Sequence, residues 1–325
     1  VLRKTNFAII VVNAAEGVSK FETEFIKVVK TRGIPVICAI NKTDVYGISE
    51  DELKNISSKL DIPVVAISSL KKIGIDQLKK LISQNAKFDE SELSICGDLI
   101  KPGDFVVLVT PIDKAAPKGR LILPQQQTIR DIIENDAIAI VTKEYELKET
   151  IENLNKKPSL VITDSQAFLK VSADTPTDMP LTSFSILFAR YKGELIEMVK
   201  GLKKIENLKS GSRVLVVEGC THHRQADDIG KVKIPRWVRQ ISGGDIEFEW
   251  ASGTYFPKDI EKFDCIIHCG GCMLNKQEMQ YRINFSKENN VAITNYGMLI
   301  AYVQGILERA LEPFPAALMI LEEQG

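Results

Sequence analysis

The sequence predicts an α/β protein built from three units, because short apolar strands alternate with amphipathic helices along most of the chain. The apolar runs 7–12, 35–40 and 63–67 are separated by helical stretches, and the same alternation returns after residue 100. This alternation favours parallel sheets with helices on both faces. A chain of 325 residues is also long enough for two or three domains of ~100–200 residues each.

The composition is that of an ordinary globular protein. Hydrophobic residues make up 44% of the chain, charged residues make up 26%, and the formal net charge is -1. The apolar runs stop well short of the ~20 residues that span a bilayer, and the first residues do not resemble a secretory signal. The balanced charge offers no general attraction to nucleic acid or to an anionic membrane. We therefore expect a cytoplasmic protein without nucleic-acid or membrane partners.

The first unit is predicted to cover residues 1–90. Each of its three apolar runs predicts a strand, and the run at 7–12 is followed by a helical pattern that ends at Gly33. Further helices are predicted between the second and third strands and after the third. Together these elements predict a small parallel sheet with helices on its faces.

Two polar loops follow the second and third strands of this unit. Guanine presents an amine and a ring N–H on one edge, so Asp44 can accept both hydrogen bonds in a pair that adenine cannot supply. Asn41 can tie the neighbouring loops together, and the aliphatic stem of Lys42 can cover the face of the base. A backbone N–H of Ser68 or Ser69 can meet the guanine oxygen. The pattern predicts guanine recognition, and a solvated turn is the alternative.

These two loops resemble the guanine-recognition motifs of Ras-like GTPases, particularly the TrmE/Era-like branch, although Leu70 departs from the lysine often found next. The resemblance implies binding of GTP with Mg²⁺ and a GTPase activity. No GxxxxGK[ST] phosphate loop occurs in the 325 residues, and no DxxG motif precedes the first strand. We therefore expect a partial Ras-like domain whose phosphate-binding half lies upstream. A degenerate domain that cannot hold phosphates is the alternative.

The middle unit is predicted to cover residues 91–176 and carries no chemical signature. Its many apolar strand residues in a short α/β unit suit pairing with a second subunit, so we expect a homodimer through this unit. The segment TPTDMP at 175–180 predicts a linker. The predicted strands are 105–109, 137–141 and 159–163, and the predicted helices are 124–134, 144–154 and 164–172.

The third unit is predicted to cover residues 177–325 and to form a doubly wound sheet. It opens with a long helical pattern over about 184–206, and its last helix is predicted to end near residue 311. Strands and helices alternate between these limits. The predicted strands are 213–219, 245–251, 263–269 and 291–295, and a further helix is predicted at 275–289.

All three histidines of the chain lie beside cysteines at the ends of two predicted strands. Cys220, His222 and His223 follow the first of these strands, and the sequence His268-Cys269-Gly-Gly-Cys272 follows the second. Because carboxyl ends of parallel strands share one edge of the sheet, one crevice can bring both clusters together. The two glycines allow the loop backbone to wrap closely around a bulky ligand, because they have no Cβ atoms. The N-terminus of the helix that follows favours an anionic ligand.

Three thiolates suit a 4Fe-4S cluster that leaves one iron for a ligand other than cysteine. Zinc is the alternative, because three cysteines and one histidine form a standard structural zinc site, and the spacing alone does not separate the two metals. Cys38, Cys96 and Cys265 are predicted to be incidental buried thiols.

The sequences CTHH at 220–223 and HCGGC at 268–272 resemble the CxH…HCxxC signature of the HydF family, the GTPase maturases of FeFe-hydrogenase. The order of the three units is similar to that family as well. The resemblance implies that Cys220, Cys269 and Cys272 hold a 4Fe-4S cluster in the third unit. His222 and His268 match the histidines of the signature, which bind or tune the open iron site or support it through hydrogen bonds.

The same resemblance implies a scaffold that holds a diiron precursor near its cluster and delivers it to apo FeFe-hydrogenase. Radical-SAM hydrogenase maturases are then its further partners. Two other functions remain open from the residues alone. One is a zinc-dependent hydrolase with an appended GTP-sensing domain. The other is an RNA-modifying TrmE/Era-like GTPase with structural zinc, which the neutral charge opposes.

Overall fold

The computed structural model describes residues 5, 7–31, 33–85, 94–112, 121–219, 228–253 and 255–323. These residues form helices and parallel sheets, so the predicted α/β class is confirmed. The chain divides into two compact units, Val1–Glu92 and Leu93–Gly325, which we call the N-terminal and C-terminal units. Within the described part of the chain, no helix combines the length and the apolar character needed to cross a membrane.

The N-terminal unit contains a three-stranded parallel sheet in the order β1, β2, β3. The central strand β2 is almost entirely buried because it has a neighbour on each side. Ser49 begins the second helix with a capping box, in which its side chain and that of Glu52 satisfy each other's backbone N–H groups. The elements are β1 Ala8–Asn13, α1 Lys20–Thr31, β2 Val36–Asn41, α2 Glu50–Leu60, β3 Val64–Ala66 and α3 Ile75–Asn85.

The C-terminal unit contains two four-stranded parallel sheets. The first, which we call the middle sheet, has the strand order β5, β4, β6, β7. A short 3-10 helix at Gly97–Leu99 precedes it, and another at Ser165–Ala167 leads into α6. Its elements are β4 Phe105–Val109, α4 Leu123–Glu134, β5 Ile138–Thr142, α5 Leu147–Glu152, β6 Leu160–Thr163, α6 Phe168–Asp174, β7 Leu181–Ser183 and α7 Phe184–Lys192.

The second sheet of this unit, which we call the C-terminal sheet, has the strand order β11, β10, β8, β9. A π-helical turn at Ile229–Lys233 leads into α9, and a 3-10 turn at Ile260–Lys262 precedes β10. The elements are α8 Leu195–Glu206, β8 Arg213–Glu218, α9 Ile234–Ser242, β9 Glu247–Ser252, β10 Cys265–His268, α10 Lys276–Glu288, β11 Ala292–Asn295, α11 Tyr296–Val303, α12 Leu307–Leu311 and α13 Pro315–Glu323.

The two sheets of the C-terminal unit repeat one topology. In each, the first strand in chain order lies between the second and the third, and the fourth lies outside the third. The segment from the fourth strand into the next helix also repeats in sequence, with identical residues at one constant spacing. The identities are Thr182 with Thr294, Leu187 with Leu299, Ala189 with Ala301, and Gly193 with Gly305.

The repeated helices α7 and α11 pack against each other through equivalent positions. A Cβ atom added to Gly297 would lie 2.2 Å from the Cβ of Ser185, its counterpart in the repeat. The Asn295 side chain donates to the carbonyl of Ser185 at 3.1 Å. Contact between equivalent positions is typical of elements related by a two-fold axis. One hydrophobic core consequently joins both sheets, which explains why they form one compact unit.

The elements of this unit differ from the sequence prediction at three places. The long helix predicted at 184–206 is two helices, α7 and α8, because the chain turns at Gly193, where an added Cβ would lie 2.7 Å from the carbonyl oxygen of Ala189. Strand β7 pairs with β6, so a boundary after residue 176 would cut the middle sheet. A further helix, α13, follows the predicted end near residue 311. The division into three domains therefore stays a prediction.

Helix α8 packs closely on strand β11 through a glycine. A Cβ atom added to Gly201 would lie 2.0 Å from the carbonyl oxygen of Ile293, which is backbone and cannot move aside cheaply. We therefore expect Gly201→Ala to lower the free energy of unfolding by about 1–3 kcal/mol or more, measured by urea denaturation. Gly47→Ala is the matched control, because no atom lies within 4 Å of the added Cβ there. Equal stability of the two variants would contradict the close packing.

Candidate functional site

The predicted guanine-recognition residues lie at the carboxyl ends of β2 and β3. The side-chain oxygen of Asn41 accepts hydrogen bonds from the backbone N–H of Lys42 at 2.9 Å and from that of Ser69 at 3.0 Å. It also accepts from the Ser69 hydroxyl at 3.2 Å. Asn41 thus ties the loop after β2 to the loop after β3, as its position in the sequence predicts. Lys42 has a positive φ of 67°, which turns the chain sharply after the strand.

Asp44 is held by the neighbouring loop. The backbone N–H and the hydroxyl of Thr43 both donate to the carbonyl of Ile67, at 3.2 Å and 3.0 Å. A hydrogen bond from the Ser68 hydroxyl lowers the pKa of Asp44, so its carboxylate stays ionised at neutral pH. Ser68 is itself buried. The arrangement presents a fixed, charged acceptor at the edge of the sheet, which is what a guanine base requires.

The cysteine loop lies at the carboxyl ends of β8 and β10, which are neighbours in the C-terminal sheet. The backbone N–H of Cys269 continues the sheet by donating to Val217 at 2.8 Å. The sulfur of Cys269 accepts hydrogen bonds from the backbone N–H of Gly219 at 3.0 Å and from that of Gly271 at 3.4 Å. Donors of this kind stabilise a thiolate. Cys269 and Cys272 are both half-buried.

Glycine is required where the end of β8 approaches this loop. A Cβ atom added to Gly219 would lie 3.0 Å from the side chain of Leu274 and 3.6 Å from the sulfur of Cys269. Gly271 has a φ of 61°, a conformation that favours glycine. Around Gly270 no described atom lies within 4 Å of an added Cβ.

His268 is completely buried behind the loop, and both of its ring nitrogens have protein partners. Nε2 lies 2.9 Å from the guanidinium of Arg282, which can only donate, and Nδ1 lies 2.7 Å from the carbonyl oxygen of Cys269. The neutral ring therefore carries its proton on Nδ1. Burial and the charge of Arg282 lower the pKa of His268 to about 3. The imidazole can bind a metal only after one of these hydrogen bonds breaks.

Arg282 is fixed in turn by a buried ion pair on helix α10. Its guanidinium lies 2.9 Å from the carboxylate of Glu278, one helical turn earlier, and both side chains are almost fully buried. Another guanidinium nitrogen donates to the carbonyl of Gly253 at 3.1 Å, at the end of β9. Glu278, Arg282 and His268 therefore connect helix α10 to the backbone of the cysteine loop. A pair of this kind is costly to break once it is buried.

Lys192, the last residue of α7, is buried beneath the cysteine loop. Its ammonium donates to the carbonyl oxygens of Leu274 at 2.8 Å, Cys272 at 2.9 Å and Gly271 at 3.3 Å. Burial lowers the pKa of Lys192, and the nearby thiols of Cys272 and Cys269 oppose this effect. A lysine held here fastens the loop backbone and supplies a positive charge beside two sulfur atoms.

The third predicted cluster ligand, Cys220, lies outside the described residues, and so do His222 and His223. Gly219, the described residue before Cys220, already contacts the sulfur of Cys269. Among residues 121–219, 228–253 and 255–323, no three side chains of the metal-binding types lie close enough together to hold an ion. Cluster ligation by Cys220, Cys269 and Cys272 therefore stays a prediction.

The other cysteines of the chain are buried away from this loop. Cys38 lies in β2 and Cys265 in β10, and neither is exposed to solvent. Burial raises the pKa of Cys38 to about 11 and that of Cys265 to about 12. Cys96 is equally buried, and burial raises the pKa of its thiol as well. None of these three thiols has the exposure or the thiolate character that metal binding requires.

Known protein families account for almost the whole chain. A family model of the elongation factor Tu GTP binding domain matches residues 1–88. The hydrogen maturase F dimerization domain matches residues 95–193, and the hydrogen maturase F tetramerization domain matches residues 196–313. The chain belongs to the hydrogen maturase F family. The resemblance read from the cysteine motifs and from the order of units is therefore confirmed.

Individual relatives of the chain include translation factors. The chloroplastic translation initiation factor IF-2 of Pyropia yezoensis is 23% identical over 345 aligned residues, which cover 94% of this chain and 42% of that protein. The translation initiation factor IF-2 of Rickettsia canadensis is 28% identical over 210 residues, covering 62% of this chain and 23% of that protein. The chain thus spans less than half the length of these relatives. The TrmE/Era-like branch of the GTPases stays a prediction.

Sequence reasoning missed Lys192, Glu278 and Arg282. Lysine, glutamate and arginine within helices usually face water, and Lys192 lies 79 to 82 positions before the carbonyl groups it contacts. The spacing of Glu278 and Arg282 by one helical turn is also common on exposed surfaces. No local pattern therefore separates these residues from ordinary surface charges.

Lys192→Met should loosen the cysteine loop, because three carbonyl groups lose a charged donor at once. We expect amide hydrogen exchange in the peptide 269–275 to become roughly tenfold faster or more. Mass spectrometry of the exchanged peptides provides the measurement, with strand β9 as an internal reference. Lys200→Met is the control, because Lys200 is 44% exposed and pairs with Glu197 on the surface. Unchanged protection of the loop in Lys192→Met would show that the lysine does not fasten it.

Proposed function

We propose that the protein is a GTP-binding scaffold of hydrogenase maturation, which holds a 4Fe-4S cluster on Cys220, Cys269 and Cys272. The observation that carries this proposal is the cysteine loop itself. Two half-buried thiols lie in the loop that follows β10, beside backbone N–H donors and a buried lysine. Membership of the hydrogen maturase F family supports it.

The residues of the loop fit an iron-sulfur cluster well. Two N–H groups donate to the sulfur of Cys269, and the ammonium of Lys192 offsets negative charge. Hydrogen bonds to sulfur and nearby charge are the usual means by which proteins tune such clusters. When bound through three cysteines, the cluster supplies one iron that is open to a further ligand. Here the protein's own groups hold, orient and partly shield that site.

A zinc site that uses His268 as its fourth ligand is disfavoured, whereas one that uses His222 stays open. A structural zinc site of three cysteines and one histidine needs a ring nitrogen directed at the metal. Both ring nitrogens of His268 are engaged by Arg282 and by the carbonyl of Cys269. We assign His268 a positioning role. Its Nδ1–H donates to the carbonyl oxygen of Cys269 and thereby fixes the backbone that carries the Cys269 side chain. His222 remains the candidate for binding or tuning the open site.

The diiron precursor is the cargo in this proposal, and apo FeFe-hydrogenase is its acceptor. Radical-SAM maturases would supply the precursor to the site. The partial exposure of Cys269 and Cys272 supports transfer, because a cargo has to reach the site from solvent and leave it again.

We also propose that the N-terminal unit binds and hydrolyses GTP with Mg²⁺ in the whole protein. The Asn41 and Asp44 loops carry the base recognition, and the match to a translation-factor GTP-binding domain supports hydrolysis in general terms. The phosphate-binding residues that hydrolysis needs would come from sequence other than these 325 residues.

Two family domains, one for dimerization and one for tetramerization, support an oligomer. We propose that the dimer forms through strand β5, which lies at the edge of the middle sheet. Ile138 and Val141 of this strand are 47% and 46% exposed, so the edge presents apolar side chains to solvent. An open, apolar edge readily pairs with a strand of another chain.

Cys269→Ala should abolish stable cluster loading, because only two of the three thiolates would remain. After anaerobic reconstitution, we expect the unaltered protein to be brown with broad visible absorption, and the variant to lose its iron and sulfide. Cys265→Ala is the matched control, because that thiol is buried in the strand just before the loop. Full iron content in Cys269→Ala, or a colourless zinc protein without substitution, would contradict the cluster assignment.

Asp44→Asn should weaken GTP binding by roughly tenfold or more and favour xanthine nucleotides, because it replaces an acceptor with a donor. Titration with fluorescent guanine and xanthine nucleotides measures the change, in a version of the protein that binds GTP. Asp51→Asn is the control, because its side chain is 93% exposed in the first turn of α2. If the base preference of Asp44→Asn equals that of the control, Asp44 has no role in guanine selection.

A further inference from the structure

The side chain of Lys192 carries a full positive charge beneath the cysteine loop. Its nitrogen lies within 3.3 Å of three carbonyl oxygens, those of Gly271, Cys272 and Leu274. A neutral amine has too few N–H groups to donate to all three oxygens, whereas an ammonium has one for each. The carbonyl groups are dipoles without net charge, so they hold the ammonium in place without neutralising it.

This charge is close to the thiols and shielded from solvent. Lys192 is 7% exposed, and its ammonium lies 5.2 Å from the centre of the Phe188 ring. The ammonium also lies 2.9 Å from the carbonyl oxygen of Cys272. Because the Cys272 sulfur belongs to the same residue as this oxygen, bond lengths keep it within roughly 8 Å of the ammonium. Salt screens a buried charge only weakly over such a distance.

The buried guanidinium of Arg282 is a different case, because its charge is already paired. It lies 2.9 Å from the carboxylate of Glu278, so the two together add little net charge to the site. The charge of Lys192 acts instead on the sulfur atoms. Burial lowers the pKa of Lys192, whereas negative charge on Cys272 and Cys269 raises it, so thiolates favour the ammonium form.

We propose that Lys192 sets the reduction potential of the cluster held by the cysteine loop, by stabilising the state that carries one more electron. This inference rests on the proposed 4Fe-4S cluster. Such a cluster gains one negative charge when an external one-electron donor reduces it, and a fixed cation nearby favours that state. The ammonium does not have to move for this purpose, because three carbonyl groups already hold it.

Coulomb's law gives the size of the effect. A unit charge about 10 Å from the added electron, at an effective dielectric constant of about 20, changes the ratio of reduced to oxidised cluster by roughly tenfold. For a one-electron couple, a tenfold change corresponds to about 59 mV. Removal of the charge should therefore make the reduction potential more negative by about this amount.

The direction of the shift separates the charge of Lys192 from its support of the loop. A substitution that merely loosens the loop lets water reach the cluster, and water stabilises the reduced state, which carries more charge. Loosening by itself would therefore raise the reduction potential. Removal of the positive charge lowers it.

Redox titration of the anaerobically reconstituted full chain tests the proposal, with the electron paramagnetic resonance signal of the reduced cluster as the readout. At a fixed potential, Lys192→Met should lower the ratio of reduced to oxidised cluster by about tenfold. Lys192→Arg retains the charge, so its ratio should stay within about threefold of that of the unaltered protein. Lys200→Met is the control and should change nothing, because Lys200 is 44% exposed and pairs with Glu197.

An unchanged or higher reduction potential in Lys192→Met would overturn the proposal, and so would an equal decrease in Lys192→Arg. Lys192→Gln serves as the second neutral variant if Lys192→Met holds no iron. Loss of the cluster from both neutral variants would show that the lysine only supports the loop, which would also overturn the proposal. Absence of a cluster from the unaltered protein is a different result, because it would contradict the proposed function itself.

Discussion

The contact on which the cysteine site most depends is the buried ammonium of Lys192 against three carbonyl oxygens of the loop. A two-glycine loop has little conformational preference of its own, so an outside group must hold it in one shape. Lys192 does this from the end of α7, while His268 and Arg282 hold the other side of the same backbone. Cys269 and Cys272 thereby lie, half-buried, on a loop whose backbone is held from two sides.

The C-terminal unit uses one topology twice, and both copies present their polar residues at the same edge. In one copy Cys269 and Cys272 follow the third strand, and in the other Asp164 and Gln166 follow it, so one position carries thiols and the other a carboxylate and an amide. Parallel strands leave their carboxyl ends open at one edge, which makes this position available for different chemistries on the same frame. The contact of Ser185 with Gly297 joins the two copies through one core.

Much of the fold could be predicted because the strands are continuous apolar runs. The strands β1 to β6 and β8 to β11 lie where periodicity places them, within one or two residues at most ends. Strand β7 was missed because Leu181–Ser183 contains one apolar residue and follows a proline, whereas β3, which is equally short, is an apolar run. The break between α7 and α8 was missed because the helical pattern continues through Gly193. In the structure the backbone of Gly193 is extended, and an added Cβ would lie 2.7 Å from the carbonyl oxygen of Ala189.

The sequence by itself determined the fold class, the loops predicted to recognise guanine, and the cysteine motif. Each of these depends on residues that are neighbours in the chain, or on a short periodic pattern of apolar and polar residues. Only the tertiary structure decided that Lys192 and Arg282 support the cysteine loop and that both ring nitrogens of His268 are engaged. The physical reason is that burial and hydrogen bonding of a charged side chain depend on segments far away in the chain. Local sequence does not record those contacts.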